Sequence, residues 1–238
     1  MDRRAFLRTM RILESRYPMK DWTTGMTAFE ILVSTVLSQS TTATNERRGL
    51  EGLRSRVRKI TPERLADTPE EEIARAIWHA GLARQKAPRI RAIAREILDH
   101  WDGEVERILM LPTERARAEL MALRGVGPKT ADVVLAMAGG HPTFPIDTHI
   151  ARIARRWNLS RRRDYESVRA ALERWTRPDK RKAWHLAIIA HGRTLCKARN
   201  PRCSECPVRK DCDWYRQSQR RRGRATTMPN KRLSGKSE

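Results

Sequence analysis

Acidic residues are scarce in this chain of 238 residues: 28 Asp plus Glu stand against 50 Lys plus Arg, a formal net charge of +22. A polyanion is therefore the first partner to consider, with nucleic acid ahead of an anionic membrane surface. No apolar run approaches the roughly 20 residues of a spanning helix. Met1 to Arg16 has Phe6, Leu7, Met10 and Leu13 at helical spacing where a secretory signal would be continuously apolar, so no membrane role and a cytoplasmic location are expected. Cysteines number only four, all between 196 and 212. That clustering excludes a disulfide framework spread over the chain and favours one metal site. Phe and Tyr number three each, and the seven tryptophans are assigned to core and helix contacts. No segment alternates as a strand would and no repeat occurs, yet 39% of residues are hydrophobic, enough for a core. An all-α protein is expected.

Helix signals recur along the chain. A first helix covers Met1 to Tyr17. Thr27-Ala28-Phe29-Glu30 is a capping box ahead of the apolar face Phe29, Leu32, Val33, Val36 and Leu37. A small polar run, Ser38 to Asn45, forms a turn and the next N-cap. Thr61-Pro62-Glu63 and Thr68-Pro69-Glu70 each pair an N-cap with a first-turn proline, predicting two short helices. Gly81-Leu82 interrupts the pattern before Lys86, Ile90, Ile93, Ile97 and Leu98 resume it. A leucine in such a turn ordinarily folds back on the core. Beyond Gln217 no apolar period remains, and residues 216–238 are read as a flexible basic tail.

The most informative stretch is Leu123-Arg124-Gly125-Val126-Gly127-Pro128-Lys129-Thr130-Ala131. Apolar residues at helical spacing flank it, which predicts helix, tight hairpin, helix. Two glycines permit positive φ and close approach of another molecule. Pro128 suits a first helical position, and the amides at that positive helix end can hold a phosphate. Lys129 then stands in the first turn, where its pKa should fall and expose a nucleophilic amine; a solvated lysine or a phosphate contact is the plainer alternative. Asp147, in Ile146-Asp147-Thr148-His149, reads on spacing alone as the N-cap of the next helix. The intervals of six, two and five residues between Cys196, Cys203, Cys206 and Cys212 suit a single tetrahedral zinc or a cubane cluster equally.

Taken together, the hairpin motif, Asp147-Thr148-His149, His191-Gly192-Arg193 and the cysteine intervals resemble the endonuclease III family of helix-hairpin-helix DNA glycosylases, over about residues 22 to 214. The resemblance implies double-stranded DNA carrying a damaged base or AP site as partner, and a nucleoid-associated monomer. It implies Lys129 as nucleophile and Asp147 as its partner in expelling the base. It places Gln39 and Leu82 in the gap left by a flipped nucleotide, Gly125, Val126, Gly127 and Thr130 against the DNA backbone, and Lys197, Arg199 and Arg202 on a DNA-facing cluster loop. The four cysteines would hold a 4Fe-4S cluster, and a K⁺ or Na⁺ ion in the hairpin is a further cofactor to test. The architecture implied is two helical domains, 23–137 and 1–22 plus 138–215, with the active-site cleft between them. Oxidised pyrimidines are the expected substrates. Uracil or thymine mispaired with guanine, and a non-catalytic redox-sensing DNA binder, are the alternatives. The chain departs from the family near Ala43, where an acidic residue is usual, and at Ala83, where an aromatic is common.

Overall fold

The computed structural model describes residues 1–18 and 21–226, and among them there are helices and turns but no strand. Helix α1 (Arg3–Arg16) is capped by Asp2, whose carboxylate accepts the Ala5 amide. Next come α2 (Ala28–Leu37), α3 (Ala43–Val57), α4 (Pro62–Asp67) and α5 (Glu70–Ala76). Thr27 and Glu30 close the expected capping box of α2, and Thr42 caps α3. A tight turn over Trp78–Ala80 leads to α6 (Ala83–Trp101), then α7 (Val105–Leu109), α8 (Thr113–Ala122) and α9 (Pro128–Met137). The remainder is α10 (Thr148–Trp157), α11 (Tyr165–Trp175), α12 (Arg181–Thr194) and α13 (Asp213–Thr226).

Buried apolar side chains separate into two clusters. One draws on α2 through α9, from Ala28 to Met137, with Leu32, Leu53, Ile73, Ile90 and Leu135 at its centre. The other joins Phe6, Met10 and Leu13 of α1 to Phe144, Ile153, Trp157, Leu172 and Ile188. Phe6 meets the rings of Trp157, Trp175 and Trp184 at 6.4, 5.5 and 5.9 Å. These ring contacts add to the burial that holds the N-terminal helix against the C-terminal third. The buried members of one cluster fall within 23–137 and those of the other within 1–22 plus 138–215.

Three expectations need correction. Residues 217–226 continue α13 as helix, whereas the absence of an apolar face suggested an unstructured tail. Gln and Arg are good helix formers, and the helix grows from the anchored segment around Cys212. Residues 227–238 lie outside the described part. Thr68 does not cap α5; that position falls to Pro69, because the Thr68 hydroxyl donates to Arg64 O of the preceding helix at 2.6 Å. Nor are all tryptophans internal. Trp157 and Trp184 are buried, but Trp22, Trp78 and Trp214 are exposed, Trp78 by 70%.

Candidate active site

The hairpin lies between α8 and α9. Leu123 O receives the Val126 amide at 3.0 Å, and Pro128 takes the first position of α9, as its sequence predicts. Positive φ is needed only at Gly125, at +79°, where a Cβ would fall 2.3 Å from Arg89 Cδ. Gly127, expected to share that conformation, has φ −96° and extended backbone. Its lack of a side chain matters for space instead: nothing lies within 4 Å of a Cβ built there. The face of the hairpin is thus open to an approaching backbone. The side chains of Val126 and Thr130 are buried, so Val126 can offer an incoming strand only its main chain.

Lys129 stands in the first turn of α9, half-buried, and its ammonium has no hydrogen-bond or ion-pair partner among the described residues. Its pKa lies below the ordinary lysine value, mainly because burial disfavours the charge; Asp147 and Glu46 oppose the shift and Arg193 assists it. The direction is the one expected, but desolvation leads. Asp147 is the N-cap of α10, its Oδ1 accepting the Ile150 amide at 2.7 Å, while Oδ2 has no such partner among the described residues. The N-cap expected from spacing is thus present, and it uses only one of the two carboxylate oxygens.

Sequence inspection missed His185 and Glu46. His185 is buried on α12 with Nδ1 3.0 Å from Pro145 O. A carbonyl only accepts, so Nδ1 carries the proton and Nε2 a lone pair. Burial, ahead of the opposing influence of Asp147, lowers its pKa to about 4. A histidine kept neutral in the fold stabilises it fully above about 6.5, its ordinary value. That contribution is lost as pH falls from there through the folded-state pKa, because the unfolded chain then binds the extra proton. Between pH 6.5 and 4 the expected loss is about 3 kcal/mol, at roughly 1.4 kcal/mol per pKa unit. Urea midpoints should show it, and His185→Gln should flatten that part of the pH dependence. Glu46, on α3, accepts the Ser34 hydroxyl at 2.6 Å. Its only sequence signal was its place in the first turn of α3.

Gln39 is tethered at rest, its Oε1 accepting from Arg89 at 2.8 Å and its Nε2 lying 3.4 Å from Thr130 Oγ1. Leu82 does not fold back on the core: it is 50% exposed in a left-handed conformation, φ 52°. Lys86, fully buried, connects the turns that carry these two residues. Its Nζ donates to Leu37 O at 2.7 Å and to Ala80 O at 2.8 Å. Two carbonyls at chain reversals thereby share one ammonium, which holds both turns in register.

Cys196, Cys203, Cys206 and Cys212 line one cavity with Trp157, His191 and Leu195. Burial raises the thiol pKa of Cys206 to about 11 and that of Cys212 as well, with the neighbouring cysteines adding to both shifts. Thiolates gathered in an apolar cavity need a cationic centre to offset their repulsion. Arg156 binds Cys196 Sγ at 3.0 Å and Lys197 O at 2.8 Å, and Arg152 binds Cys196 O; neither arginine stood out in the sequence. Lys197, Arg199 and Arg202 project into solvent from this loop. Of the motif 191–193, His191 packs 3.8 Å from Cys206 Sγ, while Arg193 is exposed and acts electrostatically on Lys129.

Residues 33–178 match the HhH-GPD superfamily of base excision DNA repair proteins, and residues 196–212 match the iron-sulfur binding domain of endonuclease III. The chain is 35% identical over 188 residues to endonuclease III of Thermotoga maritima, covering 79% of this chain and 84% of that one. Against the Escherichia coli enzyme the identity is 33% over 186 residues, covering 78% and 83%. The fold superimposes on a trapped endonuclease III–DNA covalent intermediate with a TM-score of 0.81, at 29% identity, over 92% of this chain and 99% of that chain. A thermostable thymine-DNA glycosylase shares the fold at a TM-score of 0.76 and 22% identity, over 90% and 97%. The cysteine cavity is accordingly an iron-sulfur site.

Proposed function

Because the chain belongs to the endonuclease III family of the HhH-GPD superfamily, we propose that Lys129 and Asp147 carry out its base excision on oxidised, ring-saturated pyrimidines in duplex DNA. The protein is a base-excision-repair DNA glycosylase and AP lyase. The observation that carries the residue assignment is the half-buried Lys129 ammonium without a hydrogen-bond partner among the described residues, with Asp147 near enough to act on it electrostatically.

Neutral Lys129 Nζ forms a bond to C1′ of the flipped nucleotide as the C1′–N bond breaks. The bond electrons leave with the base, which is then protonated, while Asp147 offsets the positive charge that develops on the sugar. Nζ then loses a proton and the C1′–O4′ bond breaks, its electrons leaving with O4′, which is protonated, while the nitrogen lone pair forms the C=N bond of a Schiff base. Removal of a C2′ proton then expels the 3′ oxygen and nicks the strand. Gln39 and Leu82 would occupy the vacated stack, lowering a flipping cost of a few kcal/mol. The hairpin face at Gly125 and Gly127 would hold phosphates, with Lys197, Arg199 and Arg202 extending the grip. Cys196, Cys203, Cys206 and Cys212 would hold a 4Fe-4S cluster, which would crosslink and so order this loop. We assign the protein to the cytoplasmic nucleoid, acting as a monomer.

The test is single-turnover cleavage of duplexes carrying a ring-saturated pyrimidine, beside uracil or thymine opposite guanine. Faster excision from the oxidised lesion is expected, and a preference for the mispairs would overturn the substrate assignment. Two further outcomes follow. The amine must be neutral to attack, so Schiff-base formation should rise with pH along a limb centred below 10.5, the ordinary lysine value. Affinity should fall with salt at a log-log slope of about −0.9 per phosphate contacted; a flat salt response would exclude the basic surface as the docking face.

A further inference from the structure

Tyr165 opens α11 and belongs to no motif noted in the sequence, yet its hydroxyl lies where the two halves of the site meet. It donates to Asp132 Oδ2 at 2.6 Å and accepts the Ile146 amide at 3.3 Å. Pro128 O is also near, at 3.4 Å. A phenol has one hydrogen, and the short contact to a carboxylate takes it. Asp132 follows Lys129 by three residues on α9, and Ile146 immediately precedes Asp147. One oxygen atom is thus bonded to the helix that carries the lysine and to the segment that carries the aspartate.

Both attachments are stiff. Asp132 is fully buried, receives Arg117 Nε at 2.9 Å, and its main-chain oxygen accepts the Thr143 hydroxyl at 3.0 Å. Arg117 also reaches Glu166, next to Tyr165, at 2.5 Å. On the other side, Pro145 O is bound by His185 and Asp147 is fixed as a helix cap. We propose that Tyr165 is a positioning residue whose hydroxyl sets the separation of Lys129 and Asp147 across the cleft. It rests on the assignment of those two residues. Its one hydrogen is committed to Asp132, so it has none to donate to a substrate and acts through them. Burial and the adjacent Asp132 push its ionisation upward, so it remains a donor across the working pH range.

Tyr165→Phe removes one oxygen and keeps the ring, so packing is preserved. The test compares wild type, Lys129→Ala and Tyr165→Phe for excision from a duplex carrying a ring-saturated pyrimidine and for borohydride trapping on an AP-site duplex, per folded molecule by circular dichroism, with affinity measured on an uncleavable AP-site analogue. In Tyr165→Phe both rates should fall about tenfold, since small misplacements of reacting groups are costly, while affinity stays within about twofold. The pH profile gives a readout that a structural role would not move. Asp147 raises the Lys129 pKa, so a wider gap should carry the ascending limb to lower pH. Unchanged rates and limb, or a rate loss matched by lost affinity or lost folded protein, would overturn the proposal. If Lys129→Ala still traps DNA, the underlying assignment fails first, and the positioning role with it.

Discussion

Lys129→Ala is expected to give no borohydride-trapped adduct on an AP-site duplex and to lose base excision by about a thousandfold or more, equivalent to 4 kcal/mol of transition-state stabilisation. The reason is that the other cations near it among the described residues are poor nucleophiles: Lys86 is committed to Leu37 O and Ala80 O, and Arg193 carries a guanidinium that does not deprotonate. Binding to the same duplex should change by no more than about twofold, because the hairpin amides and the loop at 197–202 are untouched. Lys129→Met, which keeps the aliphatic stem, should also raise Tm. The native ammonium is half-buried without a partner, and burying such a charge is costly. Stability is given up there for reactivity, as at many active sites. A trapped adduct with either variant would move the nucleophile to another residue.

The largest stability effect is expected at Asp132. Asp132→Ala should destabilise the fold by about 3–5 kcal/mol in urea denaturation, the usual result of leaving one member of a buried pair uncompensated. Arg117 is nearly buried, at 11% side-chain exposure against 0% for Asp132, and would keep only Glu166, which is itself half exposed. Tyr165 would lose its strongest acceptor at the same time. The penalty should be large, because Asp132 is fully buried and Arg117 nearly so. A loss below about 1 kcal/mol, the value of a surface pair, would mean that the cluster relaxes into solvent.

Much of the molecule could be read from residues alone. The helices start where Thr27, Thr42, Thr61 and Asp147 place side-chain oxygens before apolar periods, since capping is local and depends on neighbours three residues away. The hairpin was legible for the same reason, as were the cysteine intervals. Local rules erred where a side chain had two claims on it. Thr68 closes the helix behind it instead of opening the one ahead, and Gly127 supplies room where left-handed backbone was expected. The polar stretch after Gln217 is helical although it lacks the apolar face that sequence inspection relies on.

Sequence by itself determined the helical class, the net charge that selects a polyanion and the hairpin, each from spacing within a single segment or from residue chemistry. Lys129, Asp147 and the four cysteines were singled out by the family resemblance, and spacing alone left plainer readings of each open. Tertiary structure alone decided what surrounds them: the burial that lowers the Lys129 pKa, His185 and Glu46 from α12 and α3, the Lys86 tie between two turns, the arginines behind Cys196, and the Tyr165 hydroxyl between Asp132 and Ile146. Those contacts join residues far apart in the chain. Desolvation and hydrogen-bond geometry depend on which distant side chains arrive, and no local pattern encodes that.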